Sequence, residues 1–194
     1  MIKSKKDLNF YLQEDAIRAG MPTRYTISGY IQYIIKLAIG DEQAHVLQYL
    51  HTLRHLEYWT NTSTNIIHEL VRKYWNVRHS RMGHRYGIHI GANMVGYGIK
   101  IAHFSGGVII NCRKMGNYCT VSTGVVIGNK DIPEARPTIE DHVELAMGSK
   151  IYGDIHIGKN VRIAPNTVVY KNVPDNVAVG GNPAKIIKTY PIAQ

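Results

Sequence analysis

Apolar residues recur at spacings of three and four through the first part of the chain and at six through the second, and the change falls near Gly87. In DLNFYLQEDAIRAG, SGYIQYIIKLAIG, DEQAHVLQYLHTLRHLEYW and STNIIHELVRKYWNVRHS the apolar positions line one helical face, which predicts four helices before Tyr86. Ser4, Ser28, Asp41 and Ser63 are the expected N-caps, and Gly20 and Gly40 the expected stops. Met21-Pro22 separates the first two helices. The aromatics Tyr49, Tyr58, Trp59, Tyr74 and Trp75 are expected in the core or at subunit contacts.

Beyond Gly87 the helical period vanishes, and 14 of the 18 glycines lie from there onward. Ile109, Met115, Val121, Ile127, Ile139, Leu145, Ile151, Ile157, Ile163 and Val169 keep one six-residue phase, interrupted only around Pro133. A second phase, four residues later, holds compact or β-branched side chains: Cys119, Val125, Val143, Ser149, Ile155, Val161 and Thr167. Each unit reads as a short strand and a corner with one aliphatic turned inward, and three units close a triangular coil. Stacked coils bury a continuous aliphatic column. The chain therefore divides into an α-helical region, 1–86, that caps or joins subunits, and a β-helix, 87–194, closed by the C-terminal segment GNPAKIIKTY.

Composition narrows the function. The net charge of +9 is spread over both halves, and no zinc-finger spacing or RNP-like aromatic motif accompanies it, so nucleic acid is not the expected partner. The most apolar window, GYIQYIIKLAIG, is short and interrupted by Gln32 and Lys36, so no membrane span is expected. The N-terminus lacks the apolar stretch of a signal peptide, and two cysteines make no disulfide framework, which together point to the cytoplasm.

One histidine breaks the repeat. In IAHFSGGVIIN, Ile101 and Ile109 are eight positions apart instead of six, so two extra residues enter around His103. A glycine-bearing bulge of this kind re-aims a side chain outward, and His103 is expected to face away from the core.

The hexads, with IAHFSGGVIIN, GVVIGN, RPTI and PTIEDHVELAMGSKIYGDIHIGKNVRIAPNTVVYKNVPDNVAVGGNPAKIIK, resemble the hexapeptide-repeat acyltransferases, most closely their serine acetyltransferase-like branch, over about residues 87–190. The resemblance implies a left-handed parallel β-helix, and the handedness comes from the resemblance alone, because ordinary parallel crossovers are right-handed. It also implies an acetyl-CoA-dependent O-acetyltransferase with His103 as general base, acting on L-serine or on a sugar hydroxyl of a polysaccharide precursor. The Ser105-Gly106-Gly107 backbone is the candidate for stabilising the oxyanion. Acetyl-CoA is expected against hexad corners at Gly128-Asn129, Ala146-Met147 and Ala164-Pro165, with Arg162, Lys185 and Lys188 toward its phosphates. Arg136, in the loop 129–137 that interrupts the hexads, is expected to touch the acceptor over the active site. No metal is expected, and a homotrimer, or a hexamer of two, is the implied assembly.

Three departures concern the acceptor and the base. Where the family often carries Asp-Ile-His-Pro, this chain reads GIHIG, and no Asp or Glu occurs between Glu69 and Asp131. The aspartate that precedes the family's catalytic histidine is Ala102 here, and Arg-His-Pro is reduced to Ala135-Arg136-Pro137. A carboxylate orienting His103 must come from elsewhere in the chain or from a neighbouring one, unless a carbonyl or Asn93 replaces it. Two rival readings stay open. One is a zinc-dependent carbonic anhydrase-like enzyme using His79, His84 and His89; the other is a β-helix scaffold without catalysis.

Overall fold

The computed structural model describes residues 1–22 and 26–191. Four helices come first: α1 (Lys5–Arg18), α2 (Ile27–Ala38), α3 (Glu42–Thr62) and α4 (Ile66–Tyr86). Two of the expected caps hold. Ser4 accepts a hydrogen bond from Asp7 N at 3.1 Å and Asp41 one from Ala44 N at 2.9 Å. The other two move. Thr26 rather than Ser28 caps α2, and Asn65 rather than Ser63 caps α4, while Ser63 ends α3. A cap's oxygen must meet an N–H two or three residues ahead, and in both cases a neighbour does so better placed: Thr26 with Gly29, Asn65 with His68. Gly87, at φ 67°, ends α4 in the left-handed conformation that favours glycine.

The remainder is a three-sided parallel β-helix of five coils. One face stacks β1 (Ile88–Ile90), β3 (Val108–Ile110), β6 (Val126–Gly128), β9 (Lys150–Tyr152) and β12 (Val168–Val169). A second stacks β4 (Lys114–Met115), β7 (Thr138–Ile139) and β10 (His156–Ile157). The third stacks β2 (Lys100–Ala102), β5 (Thr120–Ser122), β8 (Glu144–Leu145), β11 (Arg162–Ile163) and β13 (Val177–Gly180). The register puts like on like: Val121 lies over Leu145, Leu145 over Ile163, and Ile127 over Ile151. These aliphatics, and the second column from Cys119 to Thr167, are buried as the two phases predict.

Ile109 is the exception. It is 43% exposed, and its neighbours Val108 and Ile110 turn inward. Ile110 pairs with Ile127, so the inward position is nine residues after Ile101 and five before Met115. The bulge at His103 thus inserts three residues, and the following corner gives one back.

The C-terminal segment covers the last coil in part. Ala184 N donates to Val168 O at 3.0 Å and Ala184 packs on the core, while β14 (Lys185–Thr189) folds back antiparallel on β13 and widens the third face with every residue exposed.

The helical region packs on the first coil. Val46, Tyr49, Leu50 and Leu53 of α3 belong to the same buried cluster as Ile88, Ile90, Ile99 and Ile101. A buried ionic network locks the contact. Arg54 donates from Nε to Asp15 Oδ2 at 2.8 Å and from a terminal nitrogen to Glu57 Oε2 at 2.9 Å. It also donates to the carbonyls of Val95 (3.0 Å) and Gly96 (2.6 Å). Asp15 in turn accepts from Gly98 N at 2.7 Å and Glu57 from Asn93 N at 2.9 Å. Fully buried charges persist when each is paired and hydrogen-bonded, as here. Among the described residues no helix is long and apolar enough to cross a membrane.

Candidate active site

His103 sits at the edge where the third face turns into the first, between β2 and β3. Its backbone is left-handed, at φ 58°, a conformation that costs a non-glycine residue about 1–2 kcal/mol. The side chain is 75% exposed and points away from the core. The bulge is pinned from several sides. Gly107 N donates to Phe104 O at 2.8 Å, Gly106 N to Thr123 Oγ1 at 2.8 Å, and Gly124 N to Gly107 O at 2.6 Å. The Phe104 ring packs 5.3 Å from that of Tyr86 at the end of α4. A side chain at Gly106 would collide with Thr123 Oγ1, which would have to turn away or push the bulge outward.

The N–H groups of Gly106 and Gly107 are therefore spent within the bulge. Of the Ser105-Gly106-Gly107 backbone proposed for an oxyanion, two donors point into the fold.

A carboxylate reaches His103 from the helical region. Glu42, the first residue of α3, places Oε2 at 2.9 Å from His103 Nδ1, while its Oε1 accepts from Phe104 N at 2.8 Å. An ionised carboxylate only accepts, so the bond to Glu42 places a proton on Nδ1 and leaves Nε2 outside it. The start of α3 is fixed to the coil beside it, since Gln43 Nε2 donates to Ile101 O at 3.0 Å. Asn93, the alternative partner considered from sequence, is occupied elsewhere: it pairs with Asn61 through both amide groups, at 2.9 and 3.0 Å. Nothing in the sequence pattern marks Glu42, which is 61 positions from His103.

The remaining expected residues divide by edge. Met147 and Pro165 lie on the edge that carries His103, below Thr123-Gly124. The backbone there runs in steps, Gly148 N to Thr123 O and Asn166 N to Met147 O, at 3.0 and 2.9 Å. Three coil steps, about 14 Å at the usual strand spacing, separate His103 from Pro165. Lys185 follows the turn that closes this edge, where Val168 N meets Gly181 O, and lines a cavity of about 220 Å³ with Tyr170, Pro183 and Ala184. Arg162 points out from β11, 3.4 Å from Glu144 Oε2 and over the ring of Tyr190, which Lys188 also approaches.

Gly128 and Asn129 are placed differently. They stand at the edge between the first and second faces, where Asn129 Nδ2 donates to Ile132 O at 3.2 Å. The loop 129–137 stays at that edge, held by Arg113, which bonds Glu134 O and Asp154. Arg136 is half-buried there, its Nε without a hydrogen-bond partner. Within one chain, then, neither the Gly128-Asn129 corner nor Arg136 meets His103, and the loop does not cover it.

The other chemistry-bearing residues are structural. Burial pushes the thiols up, Cys112 to about 12 and Cys119 to about 11, so neither is a nucleophile near neutral pH. His79 is buried, with Nδ1 3.1 Å from Thr52 Oγ1 and Nε2 2.9 Å from Ile90 O. Its ring nitrogens are thus taken, and His84 Nδ1 turns to Ser80 O at 2.8 Å. Among the described residues of one chain, His79, His84 and His89 are not gathered into a group of three that could hold a metal ion.

Comparison with known proteins agrees with this architecture. The family described as "Bacterial transferase hexapeptide (six repeats)" matches residues 136–171. A serine acetyltransferase of Synechococcus elongatus is 39% identical over 102 residues, 52% of this chain and 41% of its own. Serine acetyltransferase 2 of Arabidopsis thaliana is 31% identical over 163 residues, 78% of this chain and 49% of its own. The chain spans about half the length of these curated relatives. A solved serine acetyltransferase in complex with CoA superimposes with a TM-score of 0.69 at 19% identity, over 94% of this chain and 71% of its own. The shared fold is the left-handed parallel β-helix behind an α-helical region.

Proposed function

We propose that this chain, a hexapeptide-repeat protein of the serine acetyltransferase-like branch, is an acetyl-CoA-dependent O-acetyltransferase with His103 as its general base. The observation that carries the reading is His103 itself, held in a left-handed bulge with its side chain exposed and its Nδ1 on Glu42, at the top of an edge of stacked corners. The acceptor hydroxyl gives its proton to Nε2 as its oxygen attacks the thioester carbonyl. The tetrahedral intermediate then collapses, the C–S bond breaks, and the thiolate of CoA takes the proton back from the imidazolium. Acetyl-CoA lies along the His103 edge, past Met147 and Pro165 toward Lys185. Pro165 offers no N–H, so its contact is through a carbonyl or the ring.

The assembly is a homotrimer. His103 stands on open surface at one border of the first face, and Gly128, Asn129 and Arg136 stand at the other. Copies packed through that face, which exposes Ile109, bring one border against the other, and the loop 129–137 then reaches a neighbour's His103. Free buried thiols and a soluble co-substrate suit the cytoplasm.

L-Serine is the acceptor that the relatives' names support. A sugar hydroxyl is the second reading, since the family's aspartate before the histidine is Ala102 here. Thiol release from acetyl-CoA, with L-serine and saccharides offered separately, decides between them. His103→Ala is expected to fold and to lose about 10²–10⁴-fold in turnover; wild-type rates in that variant would remove the proposed base. A scaffold without catalysis predicts no thermal stabilisation by acetyl-CoA, whereas binding raises the melting temperature with ligand concentration.

A further inference from the structure

We infer that Glu42, at the start of α3, is the residue that positions the base, so that the helical region supplies part of the catalytic apparatus of the β-helix. The inference rests on His103 being the base, and goes beyond it by assigning the partner that the β-helix sequence lacks. No Asp or Glu is present between Glu69 and Asp131, so no carboxylate from coils one and two can serve. Glu42 fills that place with both oxygens. Oε2 receives the Nδ1 proton of His103 and Oε1 the N–H of the next residue, Phe104, so one carboxylate fixes ring and backbone together.

The consequence for the chemistry is a tautomer. A neutral imidazole carries its proton on one nitrogen, and an anionic acceptor at Nδ1 keeps it there and leaves Nε2 unprotonated. When Nε2 takes the acceptor's proton, the imidazolium forms against a carboxylate already in contact. Glu42 touches neither reactant in this arrangement; it acts through His103. Its own position is built in. Asp41 caps the helix, a carboxylate is favoured in the first turn by the helix dipole, and Gln43 ties that turn to Ile101 O.

Glu42→Gln is the discriminating substitution. The amide has one acceptor in place of two, and its NH₂ turned toward Nδ1 would draw the ring proton to Nε2, the nitrogen that must be free. The full chain carrying Glu42→Gln, assayed with acetyl-CoA and L-serine, is expected to lose at least about 10²-fold in kcat, by analogy with triads whose orienting acid is made an amide. KM for acetyl-CoA is expected to stay within about twofold, because no donor contact is removed. Glu42→Asp, which keeps a carboxylate one methylene shorter, is expected to recover part of the loss. Imidazole ¹⁵N shifts of His103 supply a readout independent of the acceptor: a protonated Nδ1 in the wild type, and a shift toward protonated Nε2 in Glu42→Gln.

Unchanged kcat in Glu42→Gln, with His103→Ala inactive, overturns the role of Glu42 and leaves the base in place. Full turnover in His103→Ala overturns both. A Glu42→Gln variant that loses activity only in step with a lowered melting temperature, its His103 tautomer unaltered, assigns Glu42 a structural role and also overturns the inference.

Discussion

His103 and Gly106 show how much a single position in the bulge is asked to do. The αL backbone at His103 aims the ring outward, and the Gly106 N–H bond to Thr123 Oγ1 holds that backbone. Replacing Gly106 by Ala brings a methyl group against Thr123 Oγ1, which must yield or push the bulge away from coil two. The bulge lies at the surface, so Gly106→Ala is expected to cost activity before stability: a fall of at least about tenfold in kcat/KM with a melting temperature shifted by only a few degrees. Steady-state kinetics alongside a thermal melt checks this, and unaltered kinetics would mean the bulge does not aim the base. At this scale the sequence was legible where chemistry interrupts a pattern and silent where it does not. His103 was visible because imidazole and glycines break an aliphatic repeat. Glu42 looks like any acidic residue in the first turn of a helix, and only the fold reveals that it closes on a site 61 positions away.

Between elements, two contacts decide whether the helical region stays on the first coil. The first is the buried Arg54 network, which joins α1, α3 and the loop after β1. Arg54→Ala strands Asp15 and Glu57 without their cation in a dry contact, and is expected to destabilise by about 3–5 kcal/mol in chemical denaturation. The second is His79, wedged between Tyr49 and Thr52 of α3 and the strand at Ile90, with His89 nearby. Burial lowers its pKa below the usual histidine value, partly opposed by the Ile90 carbonyl and reinforced by His89. The folded state therefore holds His79 neutral, while the unfolded chain protonates it below about pH 6.5. Its contribution is complete above that pH and is lost as the pH falls further. The melting temperature is expected to drop between pH 7.5 and 5.5, and to drop less steeply in His79→Gln; equal slopes would show that His79 is not the group responsible. Sequence periodicity anticipated these elements well, because the six-residue phase from Met115 to Val169 survives intact in the burial. It misassigned Ile109 because three residues inserted at one corner and one removed at the next leave the sum ambiguous. It could not find Arg54, Asp15 and Glu57, since three charged residues on helices carry no mark of being buried together.

For the whole molecule, the surface left bare by one chain argues for assembly. α2 rests on α1 and α3 through Tyr33, yet its opposite side presents Ile27, Tyr30, Ile31 and Ile34, each more than two-fifths exposed. Exposed apolar side chains grouped on one helix face mark an interaction surface when they form a patch. It lies on the element that leads directly into Asp41 and Glu42, while the first face of the β-helix, with Ile109, borders His103 from the other side. In the proposed trimer, or a hexamer of two, these surfaces, which flank His103, would be covered by neighbouring copies. Light scattering coupled to gel filtration is expected to give the mass of three chains of 21.8 kDa, or of six if the α2 faces also meet. A charge on one surface separates the two contacts. Ile31→Glu is expected to reduce six chains to three and to leave activity intact. Ile109→Glu, on the first face, is expected to dissociate the trimer and to take acetyl transfer with it, since Arg136 and the loop 129–137 would no longer reach the neighbouring His103. A monomer that retains full activity would show instead that one chain holds the complete site, and that the distance between the two borders of the first face is bridged by the substrates alone.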